Sequence, residues 1–163
     1  MQILDYAMQM ELDGEKYYRE LATTCPDAGI RGILERMADA EVKHYETLKQ
    51  IKANGPAEMA ADEVRADAKN LFQVMMDSKE TFDFNVSQLD LYKQACDVEY
   101  KARDFYLEHV DSVESDESKL LFKRLADEEG LHADIMASVV EFVGHAEPGN
   151  WVEDAEWFTR EEY

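Results

Sequence analysis

The chain reads as an all-α protein, a four-helix bundle made of two helical hairpins joined by a long crossover. Apolar residues recur at alternating spacings of three and four through most of it, with few strand signals and only 3 Pro and 7 Gly to interrupt them. The breaks that do occur leave linkers that run short, long, short, which pairs the helices into hairpins and leaves one extended return. With 163 residues, 45% apolar and 33% charged, the chain is about one domain long and can bury a sizeable core.

The first helix is expected from about Ile3 to Ala22, with Leu4, Ala7, Met8, Tyr18, Leu21 and Ala22 on one face. Pro26 stops it, because the proline ring disfavours helical backbone in the residue before it. A second helix follows from about Asp27 to Ala53, carrying Ile30, Leu34, Met37, His44, Leu48 and Ile51, and Asn54-Gly55-Pro56 ends it. The third is expected from about Gln88 to Val113 and the fourth from about Asp116 to Val143. Asp111-Ser112 and Ser115-Asp116 supply the stop and the N-cap between them.

The crossover, about 54–87, can return along a helix of about 25 residues and about 38 Å. A short helix near Ala60 to Met76 is expected inside it, with Val64, Leu71, Phe72 and Met75. The bundle thus takes residues 1–144. The remaining 145–163 form a tail whose Trp151, Trp157 and Phe158 are expected to pack back on the bundle.

Asp and Glu outnumber Lys and Arg by 37 to 17, a net charge of −20. Such a surface repels phosphate backbones, which excludes nucleic acid as the natural partner. No apolar run approaches the roughly 18 residues of a membrane span. The first residues lack the basic and apolar pattern of an export signal, so a cytoplasmic protein is expected. Cys25 and Cys96 make neither a CxxC pair nor a disulfide framework, and read as small buried or capping residues in a reducing compartment.

Function is written in charges placed where the core should be. On the second helix the apolar stripe runs Ile30, Leu34, Met37, then Glu41 and His44, then Leu48 and Ile51. The fourth repeats this as Leu121, Leu125, then Glu129 and His132, then Met136 and Val139. Glu11 lies between Met8 and Tyr18 on the first helix, and Glu99 between Ala95 and Tyr106 on the third. Residues three apart share a helix face, so both members of Glu-x-x-His can reach one metal pair.

Burying an unpaired ion costs several kcal/mol even after relaxation. Four such carboxylates would consume much of a net stability of roughly 5–15 kcal/mol. Two divalent cations neutralise four carboxylates and leave two neutral imidazoles as ligands. The alternative, a metal-free polar network, needs donors that the pattern does not show. Mixed carboxylate and imidazole ligands suit Fe(II), Mn(II) or Zn(II).

The two halves match. A shift of 88 positions carries Glu11 to Glu99, Tyr18 to Tyr106, Glu41 to Glu129 and His44 to His132, and Arg36, Ala38 and Asp39 to Arg124, Ala126 and Asp127. Two hairpins, each giving Glu and Glu-x-x-His, follow the ligand plan of carboxylate bundles with two metals. Other polar residues read as bystanders. Glu15 is either an extra ligand or a partner for Arg19. Glu20 and Glu108 point to the opposite face, and His109 and His145 read as surface residues near helix ends. Cys96 reads as a small filler one turn before Glu99. Tyr18 and Tyr106 are either functional partners of the carboxylates or core aromatics.

Over nearly its whole length the chain resembles the rubrerythrin branch of the ferritin-like superfamily. The signature pairs stand here as Glu11/Tyr18, Glu41/His44, Glu99/Tyr106 and Glu129/His132, and the segment from Gly149 to Phe158 is similar to the end of short, stand-alone members. The resemblance implies a ferritin-like bundle with two iron ions bridged by Glu41 and Glu129, and Glu11, Glu99, His44 and His132 as terminal ligands. It implies that Tyr18 and Tyr106 hydrogen-bond the ligand carboxylates, and that the protein is a homodimer.

The activity expected is that of a di-iron oxidoreductase acting in oxidative stress, a peroxidase reducing hydrogen peroxide or dioxygen. Two departures from the family shape that expectation. Two isolated cysteines cannot build the family's four-cysteine iron site, so electrons are expected from a separate donor such as a rubredoxin-like protein. Ala102 and Arg103 stand one turn beyond Glu99, where the family carries a further glutamate used in redox-dependent ligand exchange. The alternatives are iron sequestration with little turnover and a scaffold that holds a structural metal.

Overall fold

The computed structural model describes residues 3–53 and 86–144. They form four helices, α1 (Ile3–Thr24), α2 (Ala28–Lys52), α3 (Val86–His109) and α4 (Asp116–Gly144), with a single 3-10 turn over Val110–Ser112 and no strand among the described residues. The expected crossover helix and the aromatic tail lie outside them. No helix among the described residues is long and apolar enough to cross a membrane.

Local chemistry sets the helix ends. Helix α1 runs two residues past Ala22 because the Thr23 and Thr24 hydroxyls bond back to the carbonyls of Glu20 and Leu21, at 2.7 and 3.2 Å, satisfying groups the last turn leaves open. Asp27 caps α2, its carboxylate accepting from the Ile30 amide at 2.8 Å. The Ser115 hydroxyl does the same for α4, accepting from the Ser118 amide at 3.0 Å. Helix α3 stops at His109, four residues before the expected Val113, and a 3-10 turn carries the chain onward. Val113 is nevertheless buried, pinning that turn to the end of the core.

Backbones approach closely within the hairpins α1–α2 and α3–α4, whereas α1 faces α3 and α2 faces α4 chiefly through side chains. The core is therefore two apolar clusters with a polar layer between them. One cluster gathers Leu21, Ile30, Leu34, Met37, Tyr92, Met136 and Phe142. The other gathers Ala7, Leu48, Tyr106, Phe122, Leu125 and Ala126. Each fully buried Leu, Ile, Met or Phe among them contributes about 1.5–3 kcal/mol relative to an exposed one. Those contributions hold in place a middle layer that burial alone disfavours.

Candidate metal centre

The middle layer consists of the six ionisable residues picked out by the stripe. Their exposures are 1% for Glu11, 4% for Glu41, 1% for His44, 2% for Glu99, 1% for Glu129 and 0% for His132. Each sits where helical periodicity puts an apolar residue, so the packing of Leu34, Leu48, Leu125 and Met136 above and below forces it inward.

The six form two overlapping groups. Glu11, Glu41, His44 and Glu129 can place one ligand atom each within 4.8 Å of one another, and so can Glu41, Glu99, Glu129 and His132. Glu41 and Glu129 belong to both. His44 Nδ1 faces Glu129 Oε1 at 3.1 Å, Glu11 Oε2 at 3.4 Å and Glu41 Oε2 at 3.8 Å. His132 Nδ1 faces Glu129 Oε2 at 3.5 Å and Glu99 Oε2 at 3.9 Å. The two imidazoles are stacked, with centroids 5.5 Å apart and an interplanar angle of 14°.

Two phenols reach in from the edges. Tyr18 on α1 donates to Glu99 on α3, and Tyr106 on α3 donates to Glu11 on α1. Each therefore crosses to the opposite hairpin, in the symmetry of the internal repeat. Burial, reinforced by Glu99 at Tyr18 and by Glu11 at Tyr106, holds both phenols well above their ordinary pKa. They remain donors.

Without a cation, protons balance the charge. Burial and then Glu129, Glu99 and Glu11 push Glu41 well above the usual carboxyl range. Burial and then Glu129 do the same to Glu99. Glu129 goes the other way: burial would raise it, but His44 and His132 together hold it below its ordinary value. Burial would likewise lower His44, yet Glu129, Glu11 and Glu128 hold it well above. Burial and like charge thus favour the protonated forms of Glu41 and Glu99, while His44 and Glu129 favour one another's charged forms.

The residues fit a divalent metal pair. The donors are carboxylate oxygens and imidazole nitrogens, the mixture that suits first-row divalent ions. Glu129 belongs to both groups, and its Oε2 is buried and accepts no hydrogen bond among the described residues.

Other candidates fall outside the cluster. Glu15 pairs with Arg19 at 3.5 Å, and Arg19 also binds Asp39 at 2.7 Å. Glu20 and Glu108 are exposed. His109 is half-buried, its ring 4.7 Å from that of Phe105, so it is less of a surface residue than its position implied. His145 lies outside the described residues. Cys25 is buried, its thiol 3.2 Å from the Tyr92 hydroxyl. Cys96 is half-buried and donates to the Ala133 carbonyl at 3.4 Å. Beyond Glu99, Ala102 is buried and Arg103 turns away to Asp104 at 2.7 Å and the Tyr100 ring. That turn supplies no carboxylate.

Two residues escaped the reading of the sequence. Glu128 lies 3.0 Å from His44 Nε2 with its side chain only 15% exposed. Its place directly before Glu129, off the inward face of α4, is that of any solvated acid in so acidic a chain. Gly14 packs on Glu41, where an added Cβ would stand 3.1 Å from Glu41 Cδ. A small residue three positions after Glu11 was the available signal.

An all-α bundle whose two hairpins each send a Glu and a Glu-x-x-His into one buried layer is a ferritin-like carboxylate protein, compatible with a di-iron centre. The chain matches the family Rubrerythrin over residues 2–140 and belongs to that family. No curated protein and no solved structure matches it.

Proposed function

We propose that the protein is a di-iron oxidoreductase of rubrerythrin type, reducing hydrogen peroxide or dioxygen with electrons from a separate donor such as a rubredoxin-like protein. The observation that carries this reading is the pair of overlapping buried groups that share Glu41 and Glu129. In it Glu41 and Glu129 would be shared by both ions, with Glu11 and His44 completing the ligands of one and Glu99 and His132 those of the other. Iron held there supplies a ferrous–ferric redox couple and Lewis acidity toward an O–O bond.

The chain's own groups do the rest. Tyr18 and Tyr106 fix one oxygen each of Glu99 and Glu11, leaving the other oxygen of each carboxylate for the metal side. Gly14 leaves the space that the Glu41 carboxyl occupies, which a side chain there would crowd. A cavity of about 20 Å³ lined by Gly14, Tyr18, Glu41, Glu99 and Ala102 has room for about one water-sized molecule beside the carboxylates. Reduction of peroxide to two waters takes up two electrons and two protons. In this reading the electrons come from the separate donor and the protons from water. The protein works as a cytoplasmic homodimer in this reading.

Anaerobic loading with Fe(II), elemental analysis and stopped-flow oxidation test it. About two iron ions per chain, oxidised quickly and stoichiometrically by peroxide or oxygen, are the expected result. Slow oxidation without stoichiometry by either would leave sequestration. Full loading with no redox change would leave a structural metal.

A further inference from the structure

Gly14 stands in the middle of α1, in ordinary helical backbone, where glycine is the weakest helix former after proline. Backbone conformation therefore does not call for it. Close approach of a neighbouring helix is the usual reason for such a residue, yet the three heavy atoms nearest to an added Cβ all belong to the Glu41 side chain. They are Cδ at 3.1 Å, Oε2 at 3.3 Å and Cγ at 3.4 Å. A Cβ on Gly130 of α4, by contrast, would meet Arg103 Cδ at 3.5 Å, an ordinary contact. The internal repeat carries Gly14 onto Ala102, which is buried and lines the same small cavity. The equivalent place on α3 thus holds a methyl group, and what the glycine on α1 makes room for is the carboxyl of Glu41.

We infer that Gly14 is a positioning residue for Glu41, and that α1 gives up helical stability there so that this carboxyl can stand where it belongs to both candidate metal groups. The inference rests on the two-metal reading above. A methyl at 3.1 Å obliges its neighbour to give by a few tenths of an ångström. In the empty protein the Glu41 carboxyl is held by a hydrogen bond with Glu11 and adjoins a cavity of about 20 Å³, so the displacement is tolerated. Ions bound to that carboxyl would fix its oxygens, and the same methyl would then oppose them. Gly14→Ala therefore drives two quantities in opposite directions, helix stability upward and metal affinity downward. A glycine kept only for packing would not separate them.

Thermal unfolding in a chelator and competition with a chromophoric chelator for Co(II), both on the full chain under anaerobic conditions, read the two quantities. Gly14→Ala should raise the melting temperature of the metal-free protein by about 2–4 °C and weaken Co(II) binding by about 5–150-fold. Gly130→Ala should raise the melting temperature by a similar amount and leave Co(II) affinity unchanged. Glu41→Asp draws the carboxyl back by one methylene, and in that background Gly14→Ala should no longer weaken binding.

Unchanged Co(II) affinity in Gly14→Ala, a weaker affinity accompanied by a lower melting temperature of the metal-free protein, or the same weakening in the Glu41→Asp background would each overturn the inference while leaving the metal centre intact. No Co(II) binding by the parent would overturn the metal reading itself, and the inference with it.

Discussion

Glu41→Gln should stabilise the metal-free protein at alkaline pH and do almost nothing at acid pH. The carboxylate that must sit beside Glu129, Glu99 and Glu11 is held well above its ordinary pKa, first by burial and then by those neighbours. Its folded value therefore exceeds its unfolded one, and the folded state carries an extra proton between the two. The folded protein's advantage is complete below the unfolded pKa and is lost as pH rises through the folded one. The amide of Gln carries no charge and escapes that loss.

The size of the effect follows from spacing. Ligand atoms of Glu41 and Glu129 can lie within 4.8 Å of one another, and two like charges at that distance repel by about 3.5 kcal/mol at an effective dielectric constant of about 20. In a chain of 163 residues, each kcal/mol moves the melting temperature by about 2–4 °C, so the gain at high pH is about 7–14 °C. Thermal unfolding followed by circular dichroism in a chelator, from acid to alkaline pH, measures it. A variant less stable than the parent at every pH would refute the reasoning, because it would mean that Glu41 is a net stabilising partner in the empty cluster. The same substitution removes a carboxylate common to both candidate groups and should weaken metal binding.

Metal should reverse the balance. At free metal 100 times the dissociation constant, each bound ion adds about 2.7 kcal/mol, so full loading should raise the melting temperature by about 11–22 °C, and a chelator should abolish the rise. Tyr106→Phe deletes the donor to Glu11; denaturant titration should show a loss of about 1–3 kcal/mol, and Tyr18→Phe should match it through Glu99. Phe122→Ala empties a fully buried site whose ring stands edge-on to Tyr106 at 5.2 Å. It should cost about 3–5 kcal/mol, measured in the same way, and loosen the Tyr106–Glu11 contact so that metal affinity falls as well.

The bundle was legible because periodicity and burial are the same fact seen twice. Leu34, Met37, Leu48, Leu125 and Met136 were assigned to the core by spacing, and they are fully buried. The six polar residues were legible as interruptions of that pattern, and the repeat predicted the exchange of Tyr18 and Tyr106 only in part. It paired them by position, but that each donates to the other half's carboxylate needs the helices in space. Glu128 was illegible for a related reason. Its partner is 84 residues away, and nothing local distinguishes a carboxylate that grips an imidazole across the bundle from one in water. Helix ends shifted by a few residues, since Thr23, Thr24 and the 3-10 turn after His109 are settled by single hydrogen bonds and by where Val113 can be buried.

The polar layer between the two apolar clusters has a consequence for register. Leu, Ile and Met differ little in shape, so one hairpin sliding along the other by a turn, about 5.4 Å, would still find apolar partners. The polar layer forbids it. Such a slip would set Glu41 and Glu129 against Leu or Met and leave Tyr18 and Tyr106 without Glu99 and Glu11. Each overlapping group also draws residues from both hairpins, so an ion bound there is a rivet between the halves of the chain. The layer that weakens the empty bundle is the one that permits only a single alignment of its two halves.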